Sequence, residues 1–195
     1  CGFRICSSEE LRCVSNINFI QKDIDEKIFK PFKNSDAEAA ADLFNETLTA
    51  HYKYSLQKRK EEFYDSCFPG FNSEMRFKYI IQTNEKGSAD AYLEIKTSDS
   101  RNYFADIVIA GRSAELYPMV LSFAVKKIVK RNKNFKLYIK NKKYMQTGSF
   151  IEKFSRDNRF ELLQNNIVLV KDFFKTVKQE NRRFNEAVIF SEFEI

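Results

Sequence analysis

The feature of the sequence that most constrains the fold is a strongly apolar run followed by a helical pattern and a second apolar run. The first run, Tyr103–Ala110, holds one charged residue, Asp106, and is typical of a strand that is buried on both faces. Pro118 then begins a helical pattern that extends to about Arg131, and Phe135–Ile139 is the next strand pattern. Because a crossover helix joins strands that run in the same direction, this order predicts a parallel pair.

Three strand patterns separated by short turns occupy the middle of the chain. Met75–Thr83 alternates apolar and polar residues, and Ala89–Lys96 and Tyr103–Ala110 follow it. The connections Asn84–Gly87 and Ser98–Asn102 have the composition of tight turns. The three runs therefore predict an antiparallel meander.

The segment before the meander predicts a short strand and two helices. Lys27–Lys33 has a strand pattern, and its proline favours an edge or a strand end. Ser35 and Glu38 have the spacing of a capping box at the start of the first helix. A second, highly charged helix is expected over Tyr52–Ser66, with only a thin apolar stripe.

After the crossover, the sequence predicts a helix over Tyr144–Ser155 and two strands, Arg159–Leu163 and Asn166–Val170, joined at Gln164–Asn165. The predicted fold class is therefore α/β: a twisted mixed sheet, mostly antiparallel with one parallel pair, flanked by helices on both faces. Residues 23–175 would form this domain. Residues 1–22 would form a strand hairpin around Ser7–Glu10, and residues 176–195 a basic tail with a terminal apolar segment.

Several short segments resemble one enzyme family. Ser35–Ala39 reads S-D-A-E-A at the first helix, Gly87–Leu93 resembles a strand turn, and Phe160–Leu163 resembles a closing G-F-E segment in which the glycine is replaced. With the order of elements, these segments are similar to the GNAT superfamily of N-acetyltransferases across residues 28–171. Cys1–Ile5 also looks like the closing segment. The resemblance therefore implies the C-terminal, degenerate module of a tandem GNAT protein, with the upstream module as a partner.

The resemblance implies acetyl transfer from acetyl-CoA to an amine of a small molecule or a protein. In the family, pantetheine binds in a gap between the fourth and fifth strands, and a glycine-rich loop at a helix start holds the pyrophosphate. The cofactor-binding residues expected from this are Ile107, Val108, Ile109, Arg112, Ser113 and Ala114.

The loop departs from the family pattern Q/R-x-x-G-x-G/A. Arg112 is kept, but Glu115 and Tyr117 stand at the two glycine positions, and the whole chain has five glycines. A carboxylate beside a diphosphate is repulsive by about 1 kcal/mol even when solvated. A tyrosine side chain occupies space that a close backbone approach requires. Two alternatives follow: an acetyl-CoA-dependent N-acetyltransferase, or a non-catalytic GNAT-fold module that serves as an interaction or scaffold domain.

Three residues are candidates for catalysis by the same resemblance. Glu94 and Asp106 lie on strands beside the expected cleft and could deprotonate an amine, and Tyr144 at the start of the last helix could protonate the leaving thiolate. Strand alternation allows Glu94 to face the cleft or the solvent. For Glu94, a solvated strand face is the alternative, and for Tyr144, an amphipathic packing role.

Other function classes find little support in the sequence. The four cysteines have no zinc-site spacing, so no metal site is expected. The net charge of +6 comes without a nucleic-acid-binding signature, so no specific nucleic acid is expected as a partner. No apolar run reaches the roughly 18 residues of a membrane span, and a cytoplasmic protein is expected. Cys1 would also fit a mature lipoprotein, although Gly2–Ile5 is unlike a small polar tether.

Overall fold

One mixed sheet of eight strands forms the centre of the protein. The structure is a computed structural model, and it describes residues 3–15, 17–21, 23–53, 55–64, 75–82, 87–172 and 187–189. In chain order the strands are β1 Phe3–Cys13, β2 Lys30–Pro31, β3 Met75–Ile81, β4 Ala91–Thr97, β5 Asn102–Ile109, β6 Lys136–Lys142, β7 Glu161–Asp172 and β8 Ala187–Ile189. Across the sheet the order is β2-β3-β4-β5-β6-β1-β7-β8.

Helices cover both faces of the sheet. They are α1 Ala37–Thr47, α2 Tyr117–Val129 and α3 Gly148–Asp157, and 3₁₀ turns lie at Glu26–Ile28, Asn34–Asp36, Ala50–Tyr52, Lys60–Phe63 and Gly111–Leu116. On the α1 face, Phe44 of α1 packs in one core with Tyr92 and Val108. On the opposite face, here called the α2–α3 face, Phe123 of α2 packs with Leu137 and stacks on Phe29 at 3.8 Å between ring centroids.

The predicted meander and crossover are confirmed. β3, β4 and β5 pair antiparallel in sequence order. β6 then pairs parallel to β5, as expected when a helix such as α2 joins the two strands. The predicted fold class, a mostly antiparallel mixed sheet with one parallel pair and helices on both faces, is therefore correct. Among the described residues, no helix is long and apolar enough to cross a membrane.

The first strand differs from the prediction. The sequence predicts a hairpin with a turn at Ser7–Glu10, but these residues lie inside β1, which pairs with β6 on one side and β7 on the other. Glu10 is 4% exposed. Its carboxylate accepts hydrogen bonds from Arg12 at 2.7 and 2.9 Å and pairs with Lys143 Nζ at 2.7 Å. Because these partners replace water, a polar segment can lie in the middle of the sheet.

The closing hairpin is also a single strand. The prediction breaks the strand at Gln164–Asn165, but β7 continues through both residues and pairs with β1 along most of its length, from Cys13↔Glu161 to Phe3↔Lys171. The register between β1 and β7 shifts twice, between Ile5 and Ser7 and between Leu11 and Arg12, as is typical of β-bulges. Polar residues at these positions therefore belong to a strand surface and not to a turn.

The predicted second helix over Tyr52–Ser66 is absent from its described residues. Two 3₁₀ turns, Ala50–Tyr52 and Lys60–Phe63, take its place. The Asn45 side chain bonds the backbone of Lys58 twice, at 2.9 and 3.0 Å, and this competes with helical bonding. Part of the prediction, from residue 65 onward, lies outside the described residues.

Two elements are shorter than predicted, and a third begins with a different cap. The strand expected over Lys27–Lys33 is reduced to β2, and the helix expected from Tyr144 begins at Gly148. At the start of α1, the Asp36 carboxylate accepts a hydrogen bond from the Lys33 amide at 2.8 Å, where the sequence predicts capping by Ser35 and Glu38. The division into residues 1–22, 23–175 and 176–195 stays a prediction, and most of the last segment lies outside the described residues.

Arg159 is a position where the backbone is strained. Its φ is 58°, in the left-handed region, where a residue with a side chain is less stable by about 1–2 kcal/mol. Glycine removes this cost but loses about 0.5–1 kcal/mol through the entropy of the unfolded chain. We therefore expect Arg159→Gly to raise the melting temperature by about 1–3 °C, measured by differential scanning calorimetry.

The matched control is Arg156→Gly. Arg156 lies in α3 and pairs with Glu152 at 2.7 Å. Glycine at this helical position should lower the melting temperature, since it costs about 1 kcal/mol. An equal fall in both variants would contradict the role given to the φ of Arg159.

Candidate active site

The parallel pairing of β5 and β6 ends partway along the two strands. The last paired residues are Ala105 and Ile139, and beyond them β5 continues for four residues that are in register with β4 only. We call the space beyond this pair the β5–β6 gap. The resemblance predicts splayed strands around Ile107–Ala110 and Phe135–Ile139. The first of these segments lies beyond the pairing with β6, but Lys136–Ile139 of the second is paired with β5, so the splay begins later on β6 than predicted.

The backbone of β5 presents alternate peptide groups to the gap. Lys136 donates to the carbonyl of Arg101, so odd-numbered residues of β5 face β6. Ala110 donates to the carbonyl of Asp90, so even-numbered residues face β4. Ile107 and Ile109 therefore turn their amide and carbonyl groups towards the gap, whereas Val108 bonds with β4.

β6 carries a buried side-chain amide beyond its last residue paired with β5. Asn141 is fully buried on the same face as Leu137 and Ile139, and neither atom of its amide has a hydrogen-bond partner among the described residues. Within the same part of the chain, the hydroxyls of Thr147, before α3, and Ser155, within α3, are also buried without a partner. Because buried polar groups nearly always have partners, a group of this kind beside the gap is consistent with a site that an amide-containing arm completes.

Two carboxylates lie side by side on the α1 face. Glu94 of β4 is directly opposite Asp106 of β5. Lys142 of β6 reaches across the gap and donates to both oxygens of Asp106, at 2.6 and 2.9 Å. Burial acts to raise the pKa of Asp106, but the charge and hydrogen bonds of Lys142, with Lys58, outweigh it and lower the pKa to about 2.

Glu94 faces the protein interior. It is 9% exposed, and its carboxylate lies 3.6 Å from the ammonium of Lys96. Of the two orientations that the sequence allows, the structure therefore has the one directed to the α1 face and not the solvated one. This arrangement places Glu94 and Asp106 on the same surface as Tyr144.

Tyr144 is held by a residue that the sequence interpretation missed. Its hydroxyl donates to Glu9 of β1 at 2.6 Å, and Glu9 is 6% exposed. Burial and the adjacent Glu9 carboxylate raise the pKa of Tyr144 well above its usual range, so the phenol is neutral. The sequence predicts a turn at Glu9, and the long separation between Glu9 and Tyr144 in the chain gives no local signal of their contact.

Two lysines complete the α1 face and were not predicted. The ammonium groups of Lys58 and Lys142 lie 5.1 and 5.4 Å from the centre of the Phe44 ring. Burial and the like charge of Lys142 lower the pKa of Lys58. The ion pairs and ring contacts of this surface join residues that are distant in the sequence, so only the folded chain reveals them.

Side chains of the predicted pyrophosphate loop contact other parts of the chain. Gly111–Leu116 forms two 3₁₀ turns with a kink at Ser113 and leads into α2. Arg112 pairs with Glu46 at 2.8 Å and with Asp90 at 3.2 Å. The ring of Tyr117 does not fill the loop as the sequence suggests, because it is buried in the α2–α3 core against Phe154. The residues beside the gap thus fit a pantetheine arm, whereas those of the loop do not fit a diphosphate.

The predicted catalytic residues lie on both sides of the gap. On the α1 face, Glu94 and Asp106 belong to β4 and β5, whereas Tyr144 follows β6 and bonds to Glu9 of β1. The gap is bordered by Ile107 and Ile109, and the loop residues Arg112, Ser113 and Ala114 follow at its end. In the described ranges, no cluster of three or more histidine, cysteine, aspartate or glutamate side chains is arranged to hold a metal ion.

Comparison with known proteins supports the fold. No protein-family model matches the chain, and no curated protein matches it. A GCN5-related N-acetyltransferase from Anabaena variabilis ATCC 29413 superposes with a TM-score of 0.51 at 14% identity, covering 87% of this chain and 42% of that protein. The chain therefore has the GNAT fold and spans less than half of that protein.

Two further GNAT structures superpose less well. One is a GNAT-family putative acetyltransferase from Novosphingobium aromaticivorans DSM 12444, with a TM-score of 0.45 at 13% identity over 87% of this chain and 68% of that one. The other is a GCN5-related N-acetyltransferase from Sphaerobacter thermophilus, with a TM-score of 0.43 at 9% identity over 86% and 52%. Scores this low carry no argument about function.

The ion pair between Asp106 and Lys142 predicts a pH dependence of stability. The pKa of Asp106 is lower in the folded than in the unfolded chain. The pair therefore stabilises the fold above about pH 4, and its contribution is lost as the pH falls towards 2. We expect Asp106→Asn to destabilise the protein by about 1–3 kcal/mol at pH 6, because Lys142 stays buried without a counter-charge.

The difference between the native protein and this variant should shrink by about 1 kcal/mol between pH 5 and pH 3, as measured by urea unfolding at each pH. Asp157→Asn, at an exposed position in α3, removes the same charge and serves as the control. A pH-independent difference for Asp106→Asn would show that the ion pair does not set its pKa.

Proposed function

We propose that the protein is an N-acyltransferase that takes an acetyl group from acetyl-CoA and transfers it to an amine. The observation that carries the proposal is the end of β5–β6 pairing at Ala105 and Ile139. A gap inside a sheet leaves peptide groups that must find other partners, and an extended ligand with amides can supply them. The GNAT fold of the chain supports the same interpretation.

Backbone groups would hold the pantetheine arm. Ile107 and Ile109 present amides and carbonyls on one side of the gap, as an edge strand does to an added strand. On β6, the buried amide of Asn141 has a donor and an acceptor that no described residue engages, and it lies on the α2–α3 face beside the gap. The bound thioester supplies an activated acyl carbon, and transfer to an amine forms a C–N bond and breaks the C–S bond.

Side chains of the α1 face would accept the proton of the amine and donate a proton to the departing sulfur. Glu94 is the candidate base for the amine proton, since Asp106 is ionised but, with a pKa of about 2, a weak base. The neutral phenol of Tyr144 is the candidate acid for the departing sulfur, and Glu9 fixes its position. The charges of Glu94 and Asp106 are balanced by Lys96 and Lys142, so this face holds both signs of charge beside the proposed base.

A second candidate function is a non-catalytic GNAT-fold interaction module within a larger protein. The observation that favours it is the engagement of Arg112 by Glu46 and Asp90, which occupies the guanidinium. The two candidates differ in one respect that can be measured. Only the enzyme requires the β5–β6 gap to accept an acyl thioester.

Amide exchange can test occupation of the gap directly. With saturating acetyl-CoA, we expect the amide protons of Ile107 and Ile109 to exchange at least tenfold more slowly, because the bound arm accepts their hydrogen bonds. Val108, whose amide already bonds to β4, is the internal control and should not change. Residue-resolved hydrogen exchange by NMR gives all three rates. Unchanged exchange at Ile107 and Ile109 would favour the non-catalytic module.

The proposed acid can be tested by turnover. We expect Tyr144→Phe to lower kcat for thiol release from acetyl-CoA, with a panel of primary amines, by about 10²-fold, since the phenolic proton is lost. Tyr138→Phe is the matched control, because the Tyr138 hydroxyl lies 3.3 Å from Asn102 at the opposite end of β6. Equal rates in the native protein and Tyr144→Phe would remove Tyr144 from the mechanism.

A further inference from the structure

We propose that this protein recognises its acyl donor through the pantetheine thioester arm alone, and that the diphosphate and nucleotide of CoA add no affinity. The inference rests on the proposed function and concerns the substrate class of the same site. Four features of the loop after β5 carry it: its backbone bonding, the partners of Arg112, the space at Gly111 and the neighbouring charges.

Two backbone amides of the loop are engaged within the chain. The Ser113 amide donates to the carbonyl of Ala110 at 2.9 Å, and the Tyr117 amide donates to that of Ala114. These bonds belong to two 3₁₀ turns that meet at a kink at Ser113, where φ is −124° and ψ is 27°. An anion site at a helix start needs amides that are not already bonded, and these two amides are bonded within the chain.

The side chain of Arg112 is engaged as well. Its guanidinium bonds Glu46 of α1 and Asp90, and it approaches the carbonyl of Ala89 at 3.4 Å. Asp90 is 3% exposed, so a turn of Arg112 to a phosphate would take a cationic partner away from a buried carboxylate. Binding a diphosphate through Arg112 would therefore break existing ion pairs.

The space beside Gly111 is filled. A Cβ built on Gly111 would overlap the side-chain oxygen of Gln146, and that side chain is held by a 2.9 Å bond to the carbonyl of Glu46. The glycine thus accommodates a side chain of this protein. In a phosphate-binding loop, the space left by the missing Cβ of glycine would instead allow a phosphate to approach the backbone.

The surroundings of the loop are acidic. A cavity of about 340 Å³ lies between α1 and the segment before β4, and Glu46 and Ala89 border both this cavity and Arg112. Its carboxylates are Asp36, Glu38, Asp42 and Glu46. Like charges repel, so this region disfavours a diphosphate, while the β5–β6 gap, which would take the uncharged arm, has no such barrier.

The test compares two donors that share the arm and differ in the phosphates. S-acetylpantetheine and acetyl-CoA are titrated into the full 195-residue chain by calorimetry at the same ionic strength. We expect dissociation constants within threefold of each other. If acetyl-CoA binds tenfold or more tightly, this inference is overturned while the proposed function stands. If neither binds, both are overturned.

A variant gives a second, independent measurement. Glu46→Gln releases one partner of Arg112 and removes one negative charge, so acetyl-CoA should bind about three- to tenfold more tightly while S-acetylpantetheine is unchanged. Asp42→Asn is the matched control, one turn earlier on α1, with the same charge change and no bond to Arg112 among the described residues. An equal gain in both variants, or no gain in Glu46→Gln, counts against the role given to the Arg112 ion pairs.

Discussion

The sheet depends on the pairing of buried charges on β1. This strand separates β6 from β7 and pairs with both, so without it the two halves of the sheet have no common ladder. Its central residues are acidic, and they are stable there because Glu10 meets Arg12 and Lys143 while Glu9 accepts a bond from Tyr144. Removing one partner from such a buried pair would leave an uncompensated charge in the sheet. The same strand therefore stabilises the fold and orients a candidate catalytic side chain.

The β5–β6 gap and the loop that follows β5 are neighbours, but they differ in the ligand groups that they could bind. The β5–β6 gap keeps the peptide groups and the unsatisfied Asn141 that an extended ligand requires. In the following loop, the amides of Ser113 and Tyr117 are bonded within the chain, and Arg112 forms ion pairs with Glu46 and Asp90. Under the proposed function, a protein with this combination would bind the thioester arm of its acyl donor without contacts to the nucleotide. A shared fold at 14% identity does not show whether the loop binds a diphosphate, because that depends on individual side chains.

Local patterns predicted the elements whose apolar residues repeat regularly. The meander and α2 have clear periodicity, and they lie close to their predicted bounds. The predictions failed where polar residues lie inside strands, at Ser7–Glu10 and Gln164–Asn165, because the groups that satisfy them come from distant parts of the chain. The same limit applies to the site. Glu94 and Tyr144 could be proposed from the resemblance, but Glu9 and Lys142 become visible only through the contacts of the folded chain.

The end of the β5–β6 ladder divides the sheet into parts of different compliance. Up to Ala105 and Ile139, backbone hydrogen bonds join the two strands, and separating them would require breaking a cooperative ladder. Beyond that pair, the described connections between the two arms are side-chain contacts, such as Lys142 with Asp106 and Gln146 against Gly111. Lys142 is buried, but Gln146 is exposed, and exposed side chains change rotamer on a timescale of picoseconds to nanoseconds. The spacing of the two unpaired strand ends can therefore change at the Gly111 end while the paired part of the sheet keeps its register.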